Sequence, residues 1–142
     1  MKNHTNEKIL LLIKLDCEAL YNRIIFRKED YLRTMVLKRN RDHLKQVFRS
    51  RYYDLKLDEL KDFSSEAIYS METFYKEAEE LGWYLFHTED MPATIEEKIN
   101  YHFRMIEKAY TTLQANLNDS NTDSQVQEMD ELDGPPVIKQ TD

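Results

Sequence analysis

The sequence predicts an all-α fold, an up-and-down bundle of about four helices followed by a disordered acidic C-terminal tail. The 142 residues contain only two Gly and three Pro, so the residues that tight β-turns require are scarce. Apolar residues recur at the spacing of an α-helix over long stretches of the chain. After Asn118 the composition changes to small polar and acidic residues, which cannot bury enough surface to become ordered.

The first predicted helix begins at about Thr5, a residue that can cap it, and is apolar on two sides. One side is expected to face the core: Ile9, Leu10, Ile13, Cys17, Leu20, Tyr21 and Ile24. The other side carries a second strip: Leu12, Leu15, Ala19 and Phe26. Such a helix is either central in its bundle or shared with a second copy, which makes a homodimer through helix one an expectation. Asp16 and Arg23 lie between the two strips, and we interpret them as a polar pair that fixes register, with a ligand site as the alternative.

A second helix is predicted from about Tyr31 to Tyr52, with Asp30 as its cap. One long bent helix over residues 5–52 is the alternative, since no Gly or Pro separates the two. Residues 54–63 have the composition of a connection that contains a helical turn.

The third helix restarts at Ser64 and Ser65, and its predicted core positions are Ile68, Met71, Tyr75, Ala78 and Leu85. Gly82 lies either within the last turns of this helix or at its C-cap. The neighbouring cluster 83–86 (Trp-Tyr-Leu-Phe) is too apolar to be left in water.

Pro92 marks the start of the fourth helix, and Thr94 with Glu97 is predicted to form a capping box there. Its core stripe is sustained over six turns and comprises Ile95, Ile99, Phe103, Ile106, Tyr110, Leu113 and Leu117. We therefore place a helical bundle domain at residues 1–118 and the disordered acidic tail at residues 119–142.

Charge is distributed unevenly along the chain. Residues 23–51 hold ten Lys or Arg against three acidic residues, whereas residues 52–142 hold seven against twenty-one. Four of the cations recur along one face of the predicted second helix and form what we call the basic stripe: Lys38, Arg41, Lys45 and Arg49. A line of cations of this length suits an acidic partner or a row of phosphates.

The tail contains a second candidate binding element. Three apolar residues are spaced at i, i+3 and i+6 among acidic residues, and we call them the tail motif: Val126, Met129 and Leu132. Such a segment can fold into one or two amphipathic turns on a partner's groove.

Signatures of enzymes and cofactors are missing from the sequence. The Glu-x-x-His motif of di-iron bundles does not occur, and two isolated glycines cannot form a phosphate-binding loop. Residues 77–85 resemble the acidic helix of all-α nucleotide pyrophosphohydrolases, but residues 95–117, the candidate second carboxylate helix, contain no Asp. The single cysteine excludes an intramolecular disulfide and a cysteine-based zinc site. We expect no catalytic, cofactor or metal site.

These features favour a non-enzymatic regulatory or adaptor protein that binds a protein partner through the basic stripe, with the tail motif as a second contact. A nucleic-acid-associated protein that places the basic stripe on phosphates is the alternative. The N-terminal apolar run 9–13 is too short for a signal peptide or a membrane span, so we expect a cytoplasmic protein that does not enter membranes.

Overall fold

Six α-helices make up the part of the chain that the computed structural model describes, namely the backbone of residues 4–133 and the side chains of residues 7–118. In chain order they are α1 (His4–Ile25), α2 (Lys28–Val36), α3 (Leu44–Val47), α4 (Leu57–Leu60), α5 (Ser65–His87) and α6 (Pro92–Asp133). No strand occurs among residues 4–133. The predicted all-α helical bundle is confirmed, and α1, α5 and α6 are its long helices.

The helices α5 and α6 form an antiparallel pair joined by residues 88–91, and this pair makes the most extensive helix contact in the bundle. The α5 helix begins at Ser65, as expected, and the Ser64 hydroxyl caps it by accepting a hydrogen bond of 3.1 Å from the backbone N–H of Ala67. Pro92 is the first residue of α6, where its missing N–H costs nothing. The predicted capping box is wrong, because Thr94 already lies inside the first turn of α6.

The core lies between α1, α5 and α6, and the periodic stripes predicted for these three helices supply most of it. In α1 the residues Ile9, Leu10, Ile13, Cys17, Leu20 and Ile24 are buried, as the spacing predicts. Burial raises the pKa of the Cys17 thiol to about 12, so this thiol behaves as a small apolar side chain. Gly82 lies within α5 rather than at its C-cap.

The predicted second helix from Tyr31 to Tyr52 is wrong, because α2 ends at Val36. Lys38 adopts a left-handed conformation with φ of 52° directly after the helix. The N–H of Lys38 donates to the carbonyl of Met35 at 3.2 Å, and the N–H of Arg39 donates to that of Thr34 at 2.9 Å. These two bonds are those of a Schellman motif, which ends a helix and normally places Gly where Lys38 stands.

Residues 37–64 follow an irregular path that contains α3, a 3-10 turn at Tyr52–Asp54 and α4. The turn α4 confirms the helical turn expected within residues 54–63.

The backbone of α6 continues as helix to Asp133, while side chains from residue 119 onward lie outside the described part. The domain boundary at residue 118 and the disorder of residues 119–142 therefore stay predictions. Across the described residues, no helix is both long and apolar enough to cross a membrane.

Candidate functional site

The segment 47–54 is fixed to α1 by a carboxylate. Asp16 accepts three hydrogen bonds: from the Ser50 hydroxyl at 2.7 Å, from the backbone N–H of Arg51 at 2.9 Å and from the Tyr75 hydroxyl at 2.8 Å. Hydrogen bonds to a charged acceptor are about twice as strong as those between neutral groups. Asp16 thus holds both the irregular segment and α5 against α1.

Arg23, about two turns after Asp16 in α1, bonds to the beginning of the same segment. Its Nε donates to the carbonyl of Val47 at 3.1 Å, and its guanidinium also donates to the carbonyl of Arg49. Asp16 and Arg23, interpreted from the sequence as a polar pair that fixes register, both bond to residues 47–51. Both side chains thereby fix the position of this irregular segment against α1.

Residues of this segment line two clefts that share no lining residue. The aromatic cleft has a volume of about 330 Å³, is mainly apolar and is lined by six ring-bearing side chains, Phe48, Tyr53, Tyr75, Trp83, Phe86 and His87. The arginine cleft has a volume of about 440 Å³, is mainly polar and is lined by Asp16, Arg23, Gln46, Arg49, Ser50, Arg51 and Asp54.

Tyr75 links the two clefts, because its ring lines the aromatic cleft while its hydroxyl donates to Asp16, a residue that lines the arginine cleft. The ring stacks on that of Tyr52 with centroids 4.1 Å apart. The Tyr53 hydroxyl donates to the backbone carbonyl of Tyr75 at 3.3 Å. Burial and the adjacent Asp16 charge raise the pKa of Tyr75, so its hydroxyl stays protonated and remains a donor over the whole physiological range.

Gly82 allows the aromatic cleft to form. A Cβ at this position would lie 3.1 Å from the ring of Phe48, which is closer than an ordinary van der Waals contact. A glycine therefore lets the Phe48 ring pack directly on the α5 backbone. Gly82 lies inside α5 and has no left-handed backbone angle, so the requirement for glycine is one of space alone.

Trp83 forms one wall of the aromatic cleft and is 65% exposed, which contradicts the expectation that the whole 83–86 cluster is withdrawn from water. Leu85 is buried, whereas Tyr84 and Phe86 are half-buried. The Trp83 ring stacks on the His87 ring with centroids 4.4 Å apart, and this contact restricts the orientation of the Trp83 side chain beside the cleft.

The basic stripe does not exist as one helix face, because α2 ends before it begins. Lys38 lies in the turn after α2, and Arg49 lies after α3 at the arginine cleft. The Arg41 guanidinium donates to the carbonyl of Leu85 at 3.1 Å. The Lys45 ammonium stands 5.5 Å from the centroid of the Phe86 ring, at the rim of the aromatic cleft. Only Arg41 and Lys45 come together, at the C-terminal end of α5.

The remaining predicted contact surfaces have different outcomes. The side chains of the tail motif, Val126, Met129 and Leu132, lie outside the described residues. The second strip of α1 is uncovered within the described bundle: Leu12, Leu15, Ala19 and Phe26 are all exposed. We call these four residues the outer strip.

Among the residues that the structure describes, no group of three His, Cys, Asp or Glu side chains is arranged to hold a metal ion.

The clefts could not be located from sequence patterns, although two signals bear on them. Asp16 and Arg23 interrupt an otherwise apolar helix, and Trp83 stands beside the only glycine of the bundle region. No family model matches the chain, and no curated protein or solved structure matches it.

Proposed function

We propose that this protein acts by binding a protein partner, which inserts an apolar side chain into the aromatic cleft. The observation that carries this proposal is the exposed Trp83 beside a mainly apolar cleft of about 330 Å³. Clefts from about 300 Å³ upward can enclose a ligand group, and Trp and Tyr are enriched among the residues that contribute most binding energy at interfaces. Trp83 and Tyr53, which line the cleft, belong to these two residue types.

The rim of the cleft supplies polar groups that can orient the partner. Lys45 and Glu79 line it beside the ring-bearing side chains, and both are exposed. Lys45 forms an ion pair with an acidic residue of the partner in this proposal, because charge pairs at an interface rim fix orientation and accelerate association. Lys45 is thus the one member of the basic stripe that keeps a role in partner binding.

The protein in this proposal is a regulatory or adaptor protein and not an enzyme. The nucleic-acid alternative required four aligned cations, and the break after α2 removes that alignment. The ordered segment 47–54 gives the aromatic cleft a preformed shape, and preformed sites lose less conformational entropy on binding.

The test places a photoreactive residue in the cleft. Trp83 is replaced by p-benzoylphenylalanine, the full chain is irradiated in extract of its own cells, and cross-linked proteins are identified. Tyr101, an exposed aromatic residue of α6 outside the cleft, carries the same group as the control. We expect at least one protein to be captured at position 83 and not at position 101.

The captured partner is then purified and titrated into the wild-type protein. Isothermal titration calorimetry measures each affinity, because Trp83→Ala removes the only tryptophan of the chain and with it any tryptophan fluorescence from the cleft. Trp83→Ala should weaken binding at least tenfold, about 1.4 kcal/mol, and Tyr101→Ala should leave affinity unchanged. Equal capture at both positions, or equal affinity of both alanine variants, contradicts the proposal.

A further inference from the structure

The arginine cleft contains three polar side chains that have no partner within the described chain. The Arg49 and Arg51 guanidinium groups and the Gln46 amide line it and make no hydrogen bond or ion pair with any described residue. The main chain beside them is fixed, because the carbonyl of Arg49 accepts from Arg23 and the N–H of Arg51 donates to Asp16. The donors therefore project from a fixed backbone into a cleft of about 440 Å³.

The charges of this cleft favour an anion. Arg23, Arg49 and Arg51 face two acidic residues, Asp16 and Asp54. Asp16 directs both carboxylate oxygens at protein donors, so its charge is already compensated by three hydrogen bonds. Guanidinium groups remain charged at all physiological pH values, and two of the three are free to bind a ligand.

We infer that the arginine cleft is a binding site for a phosphate monoester. A terminal phosphate presents three acceptor oxygens, which matches the three free donor groups of Gln46, Arg49 and Arg51. A carboxylate presents only two oxygens and carries a single charge, so it leaves one of the donors unused. The phosphate belongs either to a free small molecule or to a phosphorylated side chain of a partner, and the chemistry of recognition is the same.

This inference is independent of the proposed function. The aromatic cleft and the arginine cleft share no lining residue, and Trp83 lines only the aromatic cleft. Loss of partner binding at Trp83 and loss of phosphate binding at Arg49 and Arg51 are thus separate outcomes.

The test is an NMR titration of the full chain, labelled with ¹⁵N, with four probes: inorganic phosphate, acetate, a short phosphoserine peptide and its unphosphorylated form. We expect phosphate and the phosphoserine peptide to shift the amide signals of residues 46–51 in a saturable way. Acetate and the unphosphorylated peptide should bind at least about tenfold more weakly. A phosphopeptide that binds tenfold more tightly than phosphate identifies a protein source, and equal affinities identify a small molecule.

Two double variants separate this cleft from general attraction of anions. Arg49→Gln with Arg51→Gln should weaken phosphate binding at least about tenfold, since each variant residue loses a charge-assisted bond. Arg33→Gln with Arg39→Gln removes the same charge from two exposed positions outside the cleft and should change affinity less than twofold. Circular dichroism checks that both variants keep their helical content, which is expected because all four arginines are exposed.

Three results overturn the inference. They are no saturable shift up to about 10 mM phosphate, equal binding of acetate and phosphate, and equal losses in the two double variants. The last result would mean that phosphate is attracted by the net charge of residues 23–51 and not by this cleft.

Discussion

The Tyr75 hydroxyl donates a hydrogen bond of 2.8 Å to Oδ2 of Asp16, and through this bond a residue of α5 holds a residue of α1. The bond lies between the two clefts and joins residues that are 59 positions apart in the chain. Because Asp16 also holds Ser50 and Arg51, the geometry of both clefts depends on one carboxylate.

Tyr75→Phe should therefore destabilise the protein. The variant removes a partly buried hydrogen bond to a charged acceptor, a loss of about 1.5–3 kcal/mol in the free energy of unfolding. Urea denaturation at pH 7 measures it. Tyr69→Phe, at a side chain that is 74% exposed, is the control and should stay within about 0.5 kcal/mol of wild type.

The same variant should change the alkaline limb of the stability curve. The pKa of Tyr75 is raised in the folded protein, so above the unfolded value of about 10 the unfolded chain releases a proton that the folded chain retains. Stability from this group is complete below pH 10 and is lost as pH rises further. Tyr75→Phe should lose stability less steeply above pH 10, and parallel curves for the two proteins would contradict this account.

Much of the fold follows from the sequence because helical periodicity is a local property. The buried stripe of α6 from Ile95 to Leu117 follows directly from its spacing, as does the core face of α1. The break at Lys38 could not be predicted in this way, since neither Gly nor Pro marks it. The clefts depend on contacts such as Arg23 with Val47, and no local pattern specifies which carbonyl a distant guanidinium will reach.

Lys38→Gly should stabilise the protein. Lys38 occupies a left-handed conformation that costs a residue with a Cβ about 1 kcal/mol, and glycine adopts it without that cost. Part of the gain is offset because glycine loses more backbone entropy on folding, so we expect an increase of about 0.5–1 kcal/mol in the free energy of unfolding. Chemical denaturation measures it, with Lys38→Ala as the control that removes the charge and keeps the Cβ. A gain in both variants would attribute the effect to charge.

His102 should make stability depend on pH below neutrality. Burial lowers its pKa in the folded protein, and its Nδ1 has no hydrogen-bond partner among the described residues. The unfolded chain therefore binds a proton at a higher pH than the folded chain, so this contribution is complete above about pH 6.5 and is lost as pH falls toward the folded pKa. The difference in unfolding free energy between wild type and His102→Gln, measured from pH 8 to pH 5, should stay constant above pH 7 and shift against the wild type below it. A constant difference over the whole range would mean that His102 titrates alike in both states.

The outer strip of α1 should mediate a homodimer. Leu12, Leu15 and Ala19 are spaced by three and four residues along α1, and Phe26, the residue directly after α1, follows after seven, which is the spacing of a coiled-coil seam. Asn22 takes the remaining seam position, where a polar residue can fix the register of two helices. Leu12, Leu15 and Phe26 are 47%, 53% and 80% exposed in the described bundle, and a row of exposed apolar side chains along one face is typical of an interaction surface.

Sedimentation at micromolar concentration should therefore give a mass near twice the 17.1 kDa of one chain. Leu12→Glu with Leu15→Glu places four like charges in the seam of the dimer and should return the protein to the monomer. Leu57→Glu, at a leucine that is 88% exposed on α4, adds an acidic residue elsewhere and should leave the dimer intact. Both positions of the strip are exposed, so the double variant should keep its helical circular dichroism and the change in mass can be assigned to the interface. A wild-type protein that sediments as a monomer up to about 100 µM would leave the outer strip without a role in self-association, because interfaces that bury about 1,000 Å² or more normally assemble at lower concentrations.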